Sequence, residues 1–498
     1  MNYNKNPPQE IINHLKTLLN NRKFSEAFEK AETIIKQYPK SFILWNILGV
    51  SLYELKKIDD AIKSYHKAVS INPKYAHAYI NLGIALRVQG KLDAAINISK
   101  KAVLIEPDNP LAYNNLGALF TEQGKFDEAI EAYKKVILMQ PDYAEAHNNL
   151  GVALRELGKI DEAIEAYKKA LTLYPDYSNA YNNLSAVLRD KGEFNEAIEA
   201  CKKAISLQSD YAEPYYNLGV LLKDQGDFNE AIEAYKKAIS LQPDYAVAYN
   251  NLGNVFLDLG NLDKAINAYK KSILIKPDYA EAYNNLSFTL LNTGRLREGL
   301  DKNEWRWKTS QFLSQLRHFS KPLWDGTESL SGKTILLWCE QGIGDTLNWS
   351  SCLSHVTAQA KHCILECQEK LVPLLKRSFP EVEIKAENRN LDLQRDDFDF
   401  HLPMGSLYKH FLQEITENTK PGSYLVPDPV RVKYWKDRLN SLGKGPYVGI
   451  AWKSSVVSAY RRQHYPPISE GFKILSSPDV TYIDLQYKDL VDDLAKAK

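Results

Sequence analysis

The sequence predicts a long α-helical solenoid followed by a smaller unit in which strands and helices alternate. Leucine recurs at 48, 82, 116, 150, 184, 218, 252 and 286, a constant spacing of 34, within an Asn-Leu-Gly phrase or a close variant. From Lys333 onward the pattern changes to short apolar runs, each leading into a helix-like or turn-rich stretch. The two architectures meet after Gly299, where the period breaks.

A unit of 34 residues made of two helices is the signature of tetratricopeptide repeats, and the array resembles them over 8–313. A small residue follows each key leucine (Gly49, Gly83, Gly117, Gly151, Ser185, Gly219, Gly253, Ser287), where a larger one would overpack the contact between helices A and B. Glycine at 90, 124, 158, 192, 226, 260 and 294 stands where helix A must stop and suits φ > 0. Proline closes most units, with Ser209 the exception. Helix B reads DEAIEAYKKA over 161–170: Ala163, Ile164, Tyr167 and Ala170 form its apolar stripe, and Glu165 faces Lys169 at i,i+4. Residues 8–41 are a degenerate first unit that keeps Ala27 and Pro39. The expected architecture is a right-handed solenoid.

One polar column keeps the same beat. Asn81, Asn115, Asn149, Asn183, Asn217, Asn251 and Asn285 each precede the key leucine. Helix A of such repeats lines the concave surface, so these amides are candidates for a peptide groove. A carboxamide offers a donor and an acceptor together and matches the backbone of an extended chain. Local hydrogen bonding within the array is the alternative role.

After a turn-rich connector over 314–332, strands are expected at 333–338, 362–367 and 382–386, with helices at 345–360 and 368–379. This alternation argues a parallel sheet with helices on its faces. The first strand leads into CEQGIGDTLNW (339–349). A Walker loop needs Gly-Lys-Ser/Thr, but Gly344 is followed by Asp345 and Thr346. The dinucleotide fingerprint needs a small residue where Leu347 stands, although Glu366 could serve as its acid. Asp345 is then a helix N-cap, while Gly342 and Gly344 suggest close approach to the backbone.

Five stretches occur in order: EQGIGDTLNW (340–349), DFDFHLPMGSL (397–407), SYLVPDP (423–429), VGIAWKSS (448–455) and YIDLQYKD (482–489). Together they resemble bacterial glycosyltransferases of the heptosyltransferase-like, GT-B type. The layout, with EWRW (304–307) at the junction, is similar to that of O-linked N-acetylglucosamine transferases. The resemblance implies an α/β Rossmann-like GT-B domain, its N-terminal half over 333–440 and its second half starting at 446–498. It implies inverting, metal-independent transfer from a nucleotide-sugar, which is a substrate, to an acceptor selected by the array; no cofactor is expected. By the same resemblance Asp345 is the candidate general base, and Lys453, Ser454 and Gln486 are the donor-binding candidates. Asp397 and Asp399 have the spacing of a metal pair, but the family needs no metal. The second half stops about ten residues after YIDLQYKD, well short of the roughly 100 residues such a domain needs. An incomplete, inactive transferase is therefore expected of the chain alone, and a non-catalytic scaffold for protein–protein interaction is the alternative.

Composition narrows the partners. Lys and Arg number 63 against 62 Asp and Glu, a net charge of +1 with no basic block, which excludes nucleic acid as the main partner. No run has the length and apolarity of a membrane span, and no secretory signal opens the chain. Five scattered cysteines give no disulfide framework, so a reduced, cytoplasmic location is expected.

Overall fold

The computed structural model describes residues 6–389, 394–411, 424–442, 445–450 and 481–484, the side chains of 448–450 and 481–484 excepted. The chain divides into two compact units, Met1–Thr289 and Leu290–Lys498.

The first unit is a helical solenoid of the expected period. Its helices pair as in Ala144–Glu156 (helix A) with Ile160–Leu173 (helix B). The degenerate first unit is present as Gln9–Asn20 and Phe24–Ile35, with Ala27 fully buried. From Gln9–Asn20 through Leu262–Ile275 each helix packs on its chain neighbours, and the successive A helices up to Ala246–Asp258 also touch one another. Helix A stops as glycine dictates: Gly158 has φ of 73° and the Lys159 N–H bonds back to Leu154 O at 2.9 Å. The same place in the first two units holds Arg22 (φ 56°) and Lys56 (φ 63°), so the turn forms there against side-chain strain. Helix Phe194–Leu207 ends on schedule although Ser209 replaces proline, because Tyr211 N–H still closes the turn onto Gln208 O.

The small residue of helix A makes room for a ring of helix B. A Cβ on Gly151 would sit 2.7 Å from Tyr167 Cε1, and Gly49, Gly117, Gly219 and Gly253 meet Tyr65, Tyr133, Tyr235 and Tyr269 in the same way. All five tyrosines are buried. Where the ring is absent the partners differ: Ser185 faces Cys201, both positions having changed, whereas Gly83 is kept and faces Ser99. On the outer face of helix B the expected i,i+4 ion pair is replaced by i,i+3 pairs, Glu131–Lys134, Glu199–Lys202 and Glu233–Lys236.

The second unit contains a four-stranded parallel sheet in the order β3-β2-β1-β4: β1 Thr334–Trp338, β2 His362–Cys367, β3 Glu383–Ala386 and β4 Phe400–Pro403. A separate parallel pair joins β5 Tyr447–Ile450 to β6 Thr481–Asp484. Ile335, Leu336 and Leu337 are fully buried, as a strand covered on both faces requires. The helix expected at 345–360 is broken into Ile343–Trp349, a 3-10 turn at Ser350–Cys352, and Leu353–Gln359. Two serines explain the break: Ser350 Oγ donates to Leu347 O and Ser351 Oγ to Asn348 O, competing with the helix ladder. The turn-rich connector contributes Trp324 and Leu330 to the sheet's core.

Candidate functional site

Two places answer to the sequence-based candidates, one in each unit.

In the solenoid, the asparagine column forms a ladder from repeat to repeat. Asn183 Nδ2 donates to Asn148 Oδ1 (3.0 Å) and Asn217 Nδ2 to Asn182 Oδ1 (2.8 Å). Asn81 reaches Asn46 (3.0 Å), Asn149 reaches Asn114 (3.4 Å), and Asn285 reaches Asn250 (3.0 Å) and Asn254 (3.1 Å). Asn251 donates to Tyr216 Oη at 3.0 Å. Apart from Asn254, the acceptor lies 35 residues back, one place before the previous asparagine position. The signal for this second column in the sequence is the Asn-Asn doublet at 114–115, 148–149, 182–183 and 250–251.

Asn115 breaks the ladder. The residue 35 back is Ile80, which has no acceptor, so Asn115 turns inward and donates to Ser99 Oγ at 2.8 Å. Ser99 stands where other repeats carry the tyrosine, and the buried Asn115 amide occupies space the ring leaves. Among the described residues, Oδ1 of Asn81, Asn183, Asn217 and Asn285 accepts no hydrogen bond. All four amides thus keep an acceptor oxygen while their orientation is fixed from behind, and Asn81, Asn183 and Asn217 keep a second N–H, which Asn285 spends on Asn254. Parallel to them run the ion pairs Arg155–Asp190 (2.7 Å) and Lys223–Asp258 (3.8 Å), also 35 apart.

In the second unit, strand order reverses between β1 and β4, and in such sheets the crevice beyond the carboxyl ends of these strands is where ligands sit. Here the chain's own Arg306 fills it. Its Nη2 donates to Glu340 Oε1 (3.1 Å), just after β1, and to Ser406 Oγ (3.0 Å), just after β4. Its Nη1 donates to Glu304 Oε1 (2.9 Å) and Asn303 O (3.0 Å). Gly405 N–H completes the cage on Glu340 Oε1 (3.0 Å), and a side chain at 405 would collide with that oxygen. Arg306 and Glu340 are both buried side chains, at 1% and 0% exposure. Burial pushes the Glu340 carboxyl up to about 7, against the pull of the Arg306 charge. The sequence marks EWRW only as a junction, because the partners of Arg306 at 340 and 406 come together only in the folded sheet.

The acid proposed for a dinucleotide ribose is similarly engaged. Glu366, at the end of β2, is held by Arg317 at 2.8 Å and contacts Arg395. The Asp397 and Asp399 carboxylates are held by protein donors: Asp397 by Arg395 at 2.8 Å, Asp399 by the Thr334 N–H at 2.8 Å. His401 is buried and accepts from Trp338 Nε1 at 3.3 Å.

Asp345 is exposed on helix Ile343–Trp349, but it is not the N-cap. Gly342 occupies the cap position, and Asp345 lies in the first turn. The correction has a simple origin: the helix begins at Ile343, because the Gly342 carbonyl takes the Thr346 N–H (3.1 Å) and hydroxyl (3.2 Å). Neither Gly342 nor Gly344 has positive φ, and open space surrounds the Cβ position of Gly344. Lys453, Ser454 and Gln486 lie outside the described residues.

Comparisons with known proteins bear on the first unit. Models described as tetratricopeptide repeat match residues 74–140, 114–178 and 166–199, and one described as TPR repeat matches 49–87, 186–226, 221–260 and 253–294. Protein FlbA of Caulobacter vibrioides is 31% identical over 217 residues, which are 40% of this chain and 36% of that protein. The chain thus spans about a third of this curated relative's length. Among solved structures, the APC/C hetero-tetramer Cut9–Hcn1 is 21% identical with a TM-score of 0.45, over 54% of this chain and 52% of the other. A crystal structure of MamA protein is 34% identical with a TM-score of 0.30, over 34% of this chain and 94% of its own. Residues 49–294 are accordingly an array of tetratricopeptide repeats, the fold already built above from period, glycine turns and Gly–Tyr packing.

Proposed function

We propose that the chain is a protein-interaction scaffold whose repeat array binds an extended peptide along the face carrying the asparagine ladder. The observation behind this reading is the pre-orientation of Asn81, Asn183, Asn217 and Asn285. Each is tied to the preceding repeat through its amide nitrogen and retains an acceptor, and Asn81, Asn183 and Asn217 retain a second N–H as well. Fixing the amides in advance removes much of the ordering cost that binding otherwise carries. Backbone-directed amides accept many side-chain sequences, as a scaffold or an acceptor-selecting array needs. Selection of peptides from a random display library tests this: the full chain should enrich binders, and Asn183→Ala/Asn217→Ala/Asn251→Ala should lose most of them while keeping its helical circular dichroism. Equal enrichment by both proteins contradicts the ladder's role.

A second reading, a sugar transferase of the GT-B kind acting on the bound peptide, is favoured by the parallel order β3-β2-β1-β4 and by the exposed Asp345 beside an open Gly-x-Gly turn. Asp345 would act as base, with Lys453, Ser454 and Gln486 on the donor. Calorimetry with uridine diphosphate, then with other nucleoside diphosphates, tests it. Binding that weakens in Lys453→Ala supports the transferase, and no heat at millimolar ligand removes it for this chain.

A further inference from the structure

Helix Pro429–Asn440 has no buried residue, although it carries Val430, Val432, Tyr434, Trp435 and Leu439. Its start is nonetheless well anchored. Asp428 caps it through the N–H groups of Val430 (2.9 Å) and Arg431 (3.2 Å). Val426 N–H donates to Ser378 Oγ (2.9 Å) and Tyr424 Oη to Leu347 O (3.0 Å). Between this helix and Val372–Ser378 lies an open groove of about 710 Å³. Pro373, Leu374, Val432 and Leu439 supply its apolar lining, with the half-exposed Trp435 beside them.

Charge sets this groove apart from the rest of the chain. Over 369–378 and 428–440 there are seven Lys and Arg against three Asp and Glu, whereas the whole chain has a net charge of only +1. Lys370, Arg377, Arg431 and Lys436 line the groove. None of these four is in an ion pair among the described residues, while nearby cations of the same unit, Lys385 and Arg395, are paired with Glu383 and Asp397. The groove also holds the Asp428 carboxylate, which feels Arg377 and Arg431, so four cations face one acid, and such an excess of like charge raises the local concentration of opposite charge.

We propose that this groove docks an acidic-hydrophobic segment of a partner protein, its carboxylates meeting Lys370, Arg377, Arg431 and Lys436 and an apolar side chain lying against Trp435. The distribution of charge favours such a segment over a nucleotide. A phosphate would seek the helix N-terminus, but Asp428 already occupies it, held ionised by the Arg431 and Val430 N–H groups, and Pro429 offers no N–H. Cations on two helices along an apolar floor suit several carboxylates separated by apolar residues.

The test uses the full chain and a fluorescein-labelled twelve-residue peptide alternating Glu with Leu and Phe, read by anisotropy. The peptide should bind with an affinity that falls as salt rises, and its Lys-for-Glu counterpart should not bind. Affinity should drop roughly tenfold or more in Arg377→Glu/Arg431→Glu. Trp435→Ala should weaken it as well, and all these positions are exposed enough to leave folding intact by circular dichroism. Failure of the acidic peptide to bind, or equal binding by wild type and the charge-reversed variant, overturns the proposal. So does displacement of the peptide by uridine diphosphate with the same loss in the variant, which would make this a phosphate site.

Discussion

At the scale of single residues, buried charge and backbone conformation give the clearest consequences. Burial pushes the Glu340 carboxyl up to about 7 in the folded unit, from an ordinary value of 4.5. The folded state therefore holds a proton that the unfolded state has released across this window, so this residue's contribution to stability falls as pH rises from about 4.5 through 7. One proton corresponds to a slope of at most about 1.4 kcal/mol per pH unit. Glu340→Gln keeps the shape and an acceptor for Gly405 and Arg306. Its unfolding free energy, measured by urea titration across pH 4.5–7.5, should lose that component of the slope; an unchanged profile would show that the clasp does not titrate there. In the solenoid, nothing surrounds the Cβ positions of the turn glycines, so their requirement is purely one of φ. Gly158→Ala should cost about 1 kcal/mol. Lys56→Gly, which relieves positive φ, should be neutral or stabilising by up to about 1 kcal/mol. Chemical denaturation of both variants checks the pair, and a destabilised Lys56→Gly would contradict it.

At the scale of elements, the unit of packing is a helix A–helix B pair joined by a small residue and a ring. The repeat with Ser185 and Cys201 departs from Gly–Tyr in both positions. Cys201→Tyr alone should be destabilising by about 1–3 kcal/mol, since the added ring meets Ser185. Ser185→Gly/Cys201→Tyr should recover most of the loss, a coupling that a double-mutant cycle reads directly. Additive effects would deny the pairing. These helices were legible because periodicity is local: period, turn glycines and the apolar stripe of Ala163, Ile164, Tyr167 and Ala170 all lie within one unit. Partners 35 residues apart were less so, since the Asn182–Asn217 bond depends on how one repeat stacks on the next. In the second unit the strands were legible from apolar runs. The Arg306–Glu340–Ser406 clasp was not, because it joins residues 34 and 66 positions apart that only the sheet order brings together. The break at Ser350 was hidden for another reason: serine side chains bond to the backbone in ways that helix periodicity does not register.

At the scale of the whole molecule, the first unit is a tetratricopeptide array and the second a small parallel α/β unit whose strand-end crevice is held by its own arginine. Loss of Arg306 would strand a buried carboxyl, and Arg306→Met should be destabilising by roughly 3–5 kcal/mol in the second unit, with Glu340→Gln/Arg306→Met recovering part of it. Among the described residues no helix is long and apolar enough to cross a membrane. The central claim is that the array's asparagine face receives peptide, and hydrogen–deuterium exchange of the full chain with and without a library-selected peptide tests it most directly. Protection is predicted in helices Ser178–Lys191, Ala212–Gln225 and Ala246–Asp258, which carry Asn183, Asn217 and Asn251. Protection confined to the B helices, such as Phe194–Leu207 and Phe228–Leu241, would contradict it.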